Sequence, residues 1–165
     1  MKWAGVLALP MLLLAATAQA QALNGGTVTL VTDGDTLWIR PDAGHGNAGK
    51  PRAFRLRGID APEICQPWGA QAKAALEARV LHRRVRLHSY ATDDYRRSVA
   101  TVEVDGVDIG AWMVGQGHAW NSRFGQSPGR YAAQEHAARI ARRGLFARGD
   151  ALEPHKFRKV HGPCR

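Results

Sequence analysis

After residue 20 the chain has no apolar run long enough to cross a bilayer, which takes about 20 consecutive apolar residues. It is also short of cysteine (2), of aromatic residues (7%) and of acidic residues (14 against 23 basic) over its 165 positions. Each shortage excludes something. Neither Cys65 nor Cys164 lies in a metal-ligand spacing, which argues against a thiolate zinc site. No segment repeats and no Pro/Ser-rich linker divides the chain, so a single domain with a real core is expected.

The one long apolar stretch is at the start. Met1-Lys2 is positive, Val6 to Ala16 is mostly apolar, and Ala18-Gln19-Ala20 is a small-residue cleavage site. This pattern predicts a cleavable signal peptide over 1–20 and a mature domain over 21–165, secreted or periplasmic. The domain is expected to have a core at about 27–146 and a basic tail at 147–165. It is expected to be a soluble monomer with no stable membrane anchor. Losing Lys2 with the leader lowers 23 basic residues to 22 against 14 acidic ones, a net charge of +8. A small exported domain this basic meets polyanions: nucleic acid, anionic glycans or an anionic membrane surface. Two cysteines in an exported chain predict one Cys65–Cys164 disulfide, with two free thiols as the alternative.

Local pattern predicts five strands and three helices. Thr27 to Leu30 alternates as a strand, Thr32-Asp33-Gly34-Asp35 turns with Gly34 free to take positive φ, and Thr36 to Arg40 resumes. Pro41 to Pro51 reads as a loop with His45 solvated. The next strand runs through Phe54-Arg55-Leu56-Arg57 and breaks at Gly58. Alternation puts Phe54, Leu56 and Gly58 on one face and Arg55, Arg57 and Ile59 on the other.

Pro67 to Leu81 is alanine-rich and helical, and His82-Arg83-Arg84 suits its C-terminal dipole. Val85 to Tyr90 and Arg96 to Val104 read as strands. Asp108 can cap a helix carrying Ile109, Trp112 and Met113 that stops at Gly117. Ser127-Pro128 reads as the start of a last helix with Ala133, Ala137, Ile140 and Ala141 buried, Gly144 as its cap and Phe146 folded back. The tail from Glu153 reads as irregular. This inventory predicts an α+β fold, mainly β: a five-stranded OB-type barrel with three helices.

The residues around Gly58 carry chemistry. Past the break come Asp60 and, three positions on, Glu63, with Pro62 stiffening the corner and Ala61 pushed extended. A guanidinium on a strand beside two carboxylates on a rigid loop is what metal-assisted attack on a phosphate requires. The plainer alternative is a surface strand with scattered charges, and Asp33 and Asp35 alone suit any turn.

Three pieces in order, D-G-D-T at 33–36, F-R-L-R-G-I-D-A-P-E at 54–63 and D-D-Y-R-R at 93–97, resemble the thermonuclease family, the staphylococcal-nuclease-like domain. The resemblance covers about Thr27 to Phe146. It implies a Ca²⁺ site made by Asp35, Asp60 and the backbone carbonyl of Ala61. It implies Glu63 as general base, Arg55 and Arg97 as phosphate clamps, and Tyr95 lining the nucleotide site. It also implies cleavage of DNA and RNA to 3′-phosphates.

Departures from the family pattern are visible. Arg96 stands where the best-known member has glycine, and the loop after Glu63 is shorter. Trp120, Arg123 and Phe124 give no clean match to its second set of tyrosines. The residue types suit the chemistry: hard oxygen ligands hold Ca²⁺, and planar guanidiniums grip phosphate bidentately as lysine cannot. The competing readings are a non-catalytic nucleic-acid-binding module of the same fold, and a basic envelope protein that holds anionic glycan or lipid.

Overall fold

A computed structural model describes residues 25–42, 49–92, 98–123 and 125–164. The expected leader over 1–20, His45, Tyr95, Arg96, Arg97 and Phe124 lie outside the described residues. Three strands form a meander: β1 (Gly26–Val31), β2 (Thr36–Pro41) and β3 (Arg52–Leu56), followed by a two-residue strand β4 (Ile59–Asp60). Helix α1 (Gly69–Val80) leads to β5 (Arg84–Thr92), β6 (Ser98–Val104) and the short β7 (Val107–Asp108). Then come α2 (Ile109–Gly115), the short β8 (Trp120–Asn121), α3 (Ala132–Ile140), a 3₁₀ turn at Gly144–Ala147, and α4 (Pro154–His161).

The barrel closes because β3 lies between β2 and β6. It pairs antiparallel with β2 (Leu37 opposite Phe54) and parallel with β6 (Phe54 opposite Ser98, Leu56 opposite Ala100). The strand order β3-β2-β1-β5-β6 returns to β3, which leaves no open edge in that ring of five. Alternating residues fill it: Val28, Leu37, Ile39, Phe54, Leu56, Leu87 and Val102 are all buried. A bulge between Val28 and Leu30 turns Leu30 outward and Val31 inward, so β1 does not alternate cleanly.

Helix α1 adds Ala72, Leu76 and Val80 at four-residue intervals, one helical stripe. In α2 the Asp108 side chain accepts from the Ala111 N–H, the expected cap, and the chain turns at Gly117 with φ 74°. The buried Tyr131 hydroxyl donates to the same Asp108 carboxylate, tying α3 to the start of α2.

Five expectations change. Gly34 does not take positive φ; it is glycine because a Cβ there would lie 2.7 Å from Ala61 Cβ and 2.9 Å from Ala72 Cβ. Ile59 is in the core rather than beside Arg55, because Gly58 (φ 77°) reverses the chain and resets the alternation. Helix α3 starts at Ala132, not at Ser127-Pro128, because the Asn121 amide holds the preceding segment through Pro128 O (2.7 Å) and Tyr131 N (2.8 Å). Its inner residues are Glu135 and Ala138, whereas Ala133, Ala137, Ile140 (72% exposed) and Ala141 face out. Finally, the tail is not irregular: Pro154 starts α4, and Pro154 and Phe157 are buried. Among the described residues the α-helices therefore number four. Phe146 does fold back, edge-on to Trp120 at 6.1 Å. Among the described residues no helix is long and apolar enough to cross a membrane.

Candidate active site

The β2–β3 pairing sets Thr36 opposite Arg55, so two pieces 20 residues apart in sequence become neighbours. Arg55 Nη1 donates to Asp35 Oδ1 (2.9 Å) and Nη2 to Asp60 Oδ1 (2.8 Å), with Asp35 Oδ2 also 2.8 Å away. One guanidinium thus spans the two carboxylates expected to act as ligands. Asp35, only 2% exposed, also accepts from Thr36 Oγ1 (3.0 Å) and from the Ala61 N–H (3.1 Å). Asp60 is placed by β4, whose partner β8 sets Trp120 opposite it.

Asp35, Arg55 and Ala61 wall a cleft of about 440 Å³ together with Asp33, Glu63 and Arg158; Asp60 reaches it only through its bond to Arg55. Burial pushes the Asp35 carboxyl up to about 7, against the pull of Arg55 and with a push from Asp33 and Asp60. Asp60 is raised as well, again by burial, with Arg55 and Arg158 opposing. For Arg55 burial works against the charge, but Asp35 and Asp60 outweigh it and raise the guanidinium further.

Buried carboxylates held above their ordinary range are short of positive charge, and a divalent cation relieves that. Asp35 and Asp60 supply carboxylate oxygens, the hard donors that Ca²⁺ takes. Among the described residues no cluster of three or more His, Cys, Asp or Glu side chains is arranged to hold a metal. The expected set needs only two such side chains and a main-chain oxygen, so the residues present fit it.

Of the residues singled out in the sequence, Asp35, Arg55, Asp60, Ala61 and Glu63 come together here. Arg97 and Tyr95 lie outside the described residues. Cys65 and Cys164 are bonded, with Cα atoms 5.7 Å apart, and the Cys65 N–H points at Cys164 Sγ (3.1 Å). Three participants have no motif to announce them. Arg158 on α4 donates from Nη1 to Glu63 Oε1. The buried Gln66 side chain accepts from the Glu63 N–H (3.2 Å) and donates to Leu152 O. Gly69 lies against the Glu63 carbonyl so closely that a Cβ would be 1.9 Å from that oxygen. The usable signal was in the tail: Glu153-Pro154 as a helix start, Phe157 three residues on, and a cysteine at 164.

The model of a protein family described as "Staphylococcal nuclease homologue" matches residues 53–148. A rice (Oryza sativa subsp. japonica) protein named "Probable staphylococcal-like nuclease CAN4" is 38% identical over 106 residues, 64% of this chain and 21% of its own length. The chain spans 21% to 40% of the length of four such rice relatives. "Protein ParB" of Escherichia coli is 36% identical over 92% of this chain and 88% of its own length. An "Uncharacterized endonuclease" of Haemophilus influenzae is 34% identical over 87% of this chain and 78% of its own length.

Proposed function

As the chain belongs to the staphylococcal nuclease homologue family, we propose that it is an exported, Ca²⁺-dependent nuclease that hydrolyses DNA and RNA with little sequence preference and leaves 3′-phosphates. The observation that carries this reading is the Arg55 guanidinium spanning Asp35 and Asp60, with Asp35, Arg55 and Glu63 in the wall of one cleft. A protein that only held nucleic acid would have no use for buried carboxylates at the place where phosphate must bind.

Asp35, Asp60 and the Ala61 carbonyl would hold the cation, which supplies Lewis-acid stabilisation to the phosphoryl oxygens when bound. The chain's own groups do the rest. Glu63 takes a proton from the water that attacks phosphorus, opposite the leaving 5′-oxygen. Arg55 and Arg97 donate to the non-bridging oxygens as charge builds on them. The grip is on phosphate rather than on base edges, so sequence tolerance follows. A net charge of +8 draws the polyanion in, and the protein works as a monomer.

The test is the mature protein on plasmid DNA and on RNA, with Ca²⁺ and with excess chelator. Cleavage that disappears in chelator and in Asp35→Ala is expected. Full cleavage in chelator removes the metal from the reading. Binding without cleavage under both conditions replaces the enzyme with a nucleic-acid-binding module.

A further inference from the structure

The cleft is walled by a side chain from far outside the matched region. The family match ends at residue 148, yet Arg158 stands in the cleft and pairs with Glu63. From this contact, and resting on the nuclease reading above, we infer that Arg158 is a positioning residue for Glu63 and that the C-terminal segment 152–164 is part of the active site.

Glu63 needs such a partner. It lies on a loop between β4 and α1, not on a helix or strand, and its side chain has three rotatable bonds. A group that must take a proton in the transition state has to be held within about 0.5 Å of its productive place. Its backbone is held from the loop itself: Gln66 Oε1 accepts from the Glu63 N–H (3.2 Å), and the Gln66 N–H donates to Glu63 O (2.9 Å). Its carboxylate is held from the tail. Arg158 occupies Oε1, which leaves Oε2 to accept the proton of water.

The tail is tied at several points so that Arg158 arrives there. Phe157 and Pro154 are buried, Gln66 Nε2 donates to Leu152 O, and the Cys65–Cys164 bond fixes the end of the segment two residues from Glu63. Those ties converge on the loop that carries the base. A solvated basic tail would have no reason to be held there. At 42% exposure against 27% for Glu63, Arg158 has water at its back and a carboxylate in front, so replacing it leaves no unpaired group in the core.

The experiment is a double-mutant cycle on the full mature chain with its disulfide intact: Arg158→Ala, Arg158→Lys, Glu63→Gln and Glu63→Gln/Arg158→Ala. Melting temperature is measured on each, because a variant that unfolds is replaced by Arg158→Gln. Arg158→Ala is expected to lower kcat roughly 10- to 100-fold, the scale for residues that orient a catalytic group, with KM nearly unchanged. Arg158→Lys should recover part of the loss, and Arg158→Ala should cost nothing more once Glu63 is glutamine. Three results overturn the inference: turnover of Arg158→Ala equal to the parent, an equal loss in the Glu63→Gln background, or an effect confined to KM. The last two would make Arg158 a direct phosphate contact. Absence of cleavage by the parent would refute the nuclease reading itself, which sets that failure apart.

Discussion

Breaking the Cys65–Cys164 bond tests both the stability and the function of the tail. The bond joins residues 99 apart. In the chain-entropy treatment, closing a loop of about 100 residues in the unfolded chain stabilises the folded state by roughly 4.7 kcal/mol at 25 °C. That is an upper figure, because α4 can undock alone once the bond is gone and so spare the barrel. With a urea m-value of about 2 kcal/mol/M, the full effect moves the unfolding midpoint by roughly 2 M. Cys164→Ser is the cleaner perturbation, since Cys65 sits on the loop carrying Glu63. Urea unfolding, followed by tryptophan fluorescence, should give a lower midpoint for Cys164→Ser than for the parent, and kcat should fall as Arg158 loses its fixed place. A thiol titration under denaturing conditions confirms the bond in the parent. If the bond is intact and the midpoint does not move on removing it, the tail is not held by the disulfide in the way described. If stability falls but kcat does not, the tail is a staple with no part in the site.

Other perturbations separate the parts of the site. Arg55→Lys keeps the charge but cannot span Asp35 and Asp60, so kcat should drop roughly 10²-fold or more with the fold retained; turnover within a few-fold of the parent would show that a point charge suffices. Gly69→Ala forces a methyl against the Glu63 carbonyl, and moving that backbone by about 1 Å should cost on the order of 10²-fold in kcat; unchanged kinetics would mean that the loop yields without displacing the base. His118 packs between Trp68 and Trp112, accepts at Nδ1 from Trp68 Nε1 (3.3 Å), and has its pKa lowered by burial. A folded-state value below the unfolded one gives stability that is full above about pH 6.5. That stability is lost as pH falls through the folded value. Urea midpoints between pH 7 and 5 should therefore fall less steeply in His118→Gln than in the parent, and parallel slopes would count against it.

Much of this was legible in the amino-acid order because it depends on near neighbours. The five barrel strands follow from period-two alternation and from turns at 32–35 and 105–106, signals that act over a few residues. The pairing of Asp35 with Arg55 follows from the meander: consecutive antiparallel strands bring D-G-D-T alongside F-R-L-R. Asp60 and Glu63 are read from the stiff corner around Pro62, whereas Ala61 enters only through the family resemblance. The Cys65–Cys164 pairing follows from the expected export and a count of two.

What tertiary structure decided are the contacts with no local cause. Arg158 and Glu63 are 95 residues apart, and they meet because Phe157 buries and the disulfide closes, neither of which alters the tail's own composition. The inner face of α3 is set by Glu135, a charged residue whose carboxylate accepts from Asn121 N and from Arg139. A hydrophobicity pattern therefore chooses Ile140, the wrong face. Gly34 looks like a turn glycine and Gly69 falls inside the predicted helix, yet both are glycine because another part of the chain comes within van der Waals reach. Sequence pattern records which residues prefer water and which bend the chain; the approach of two distant segments is decided by how the whole core packs.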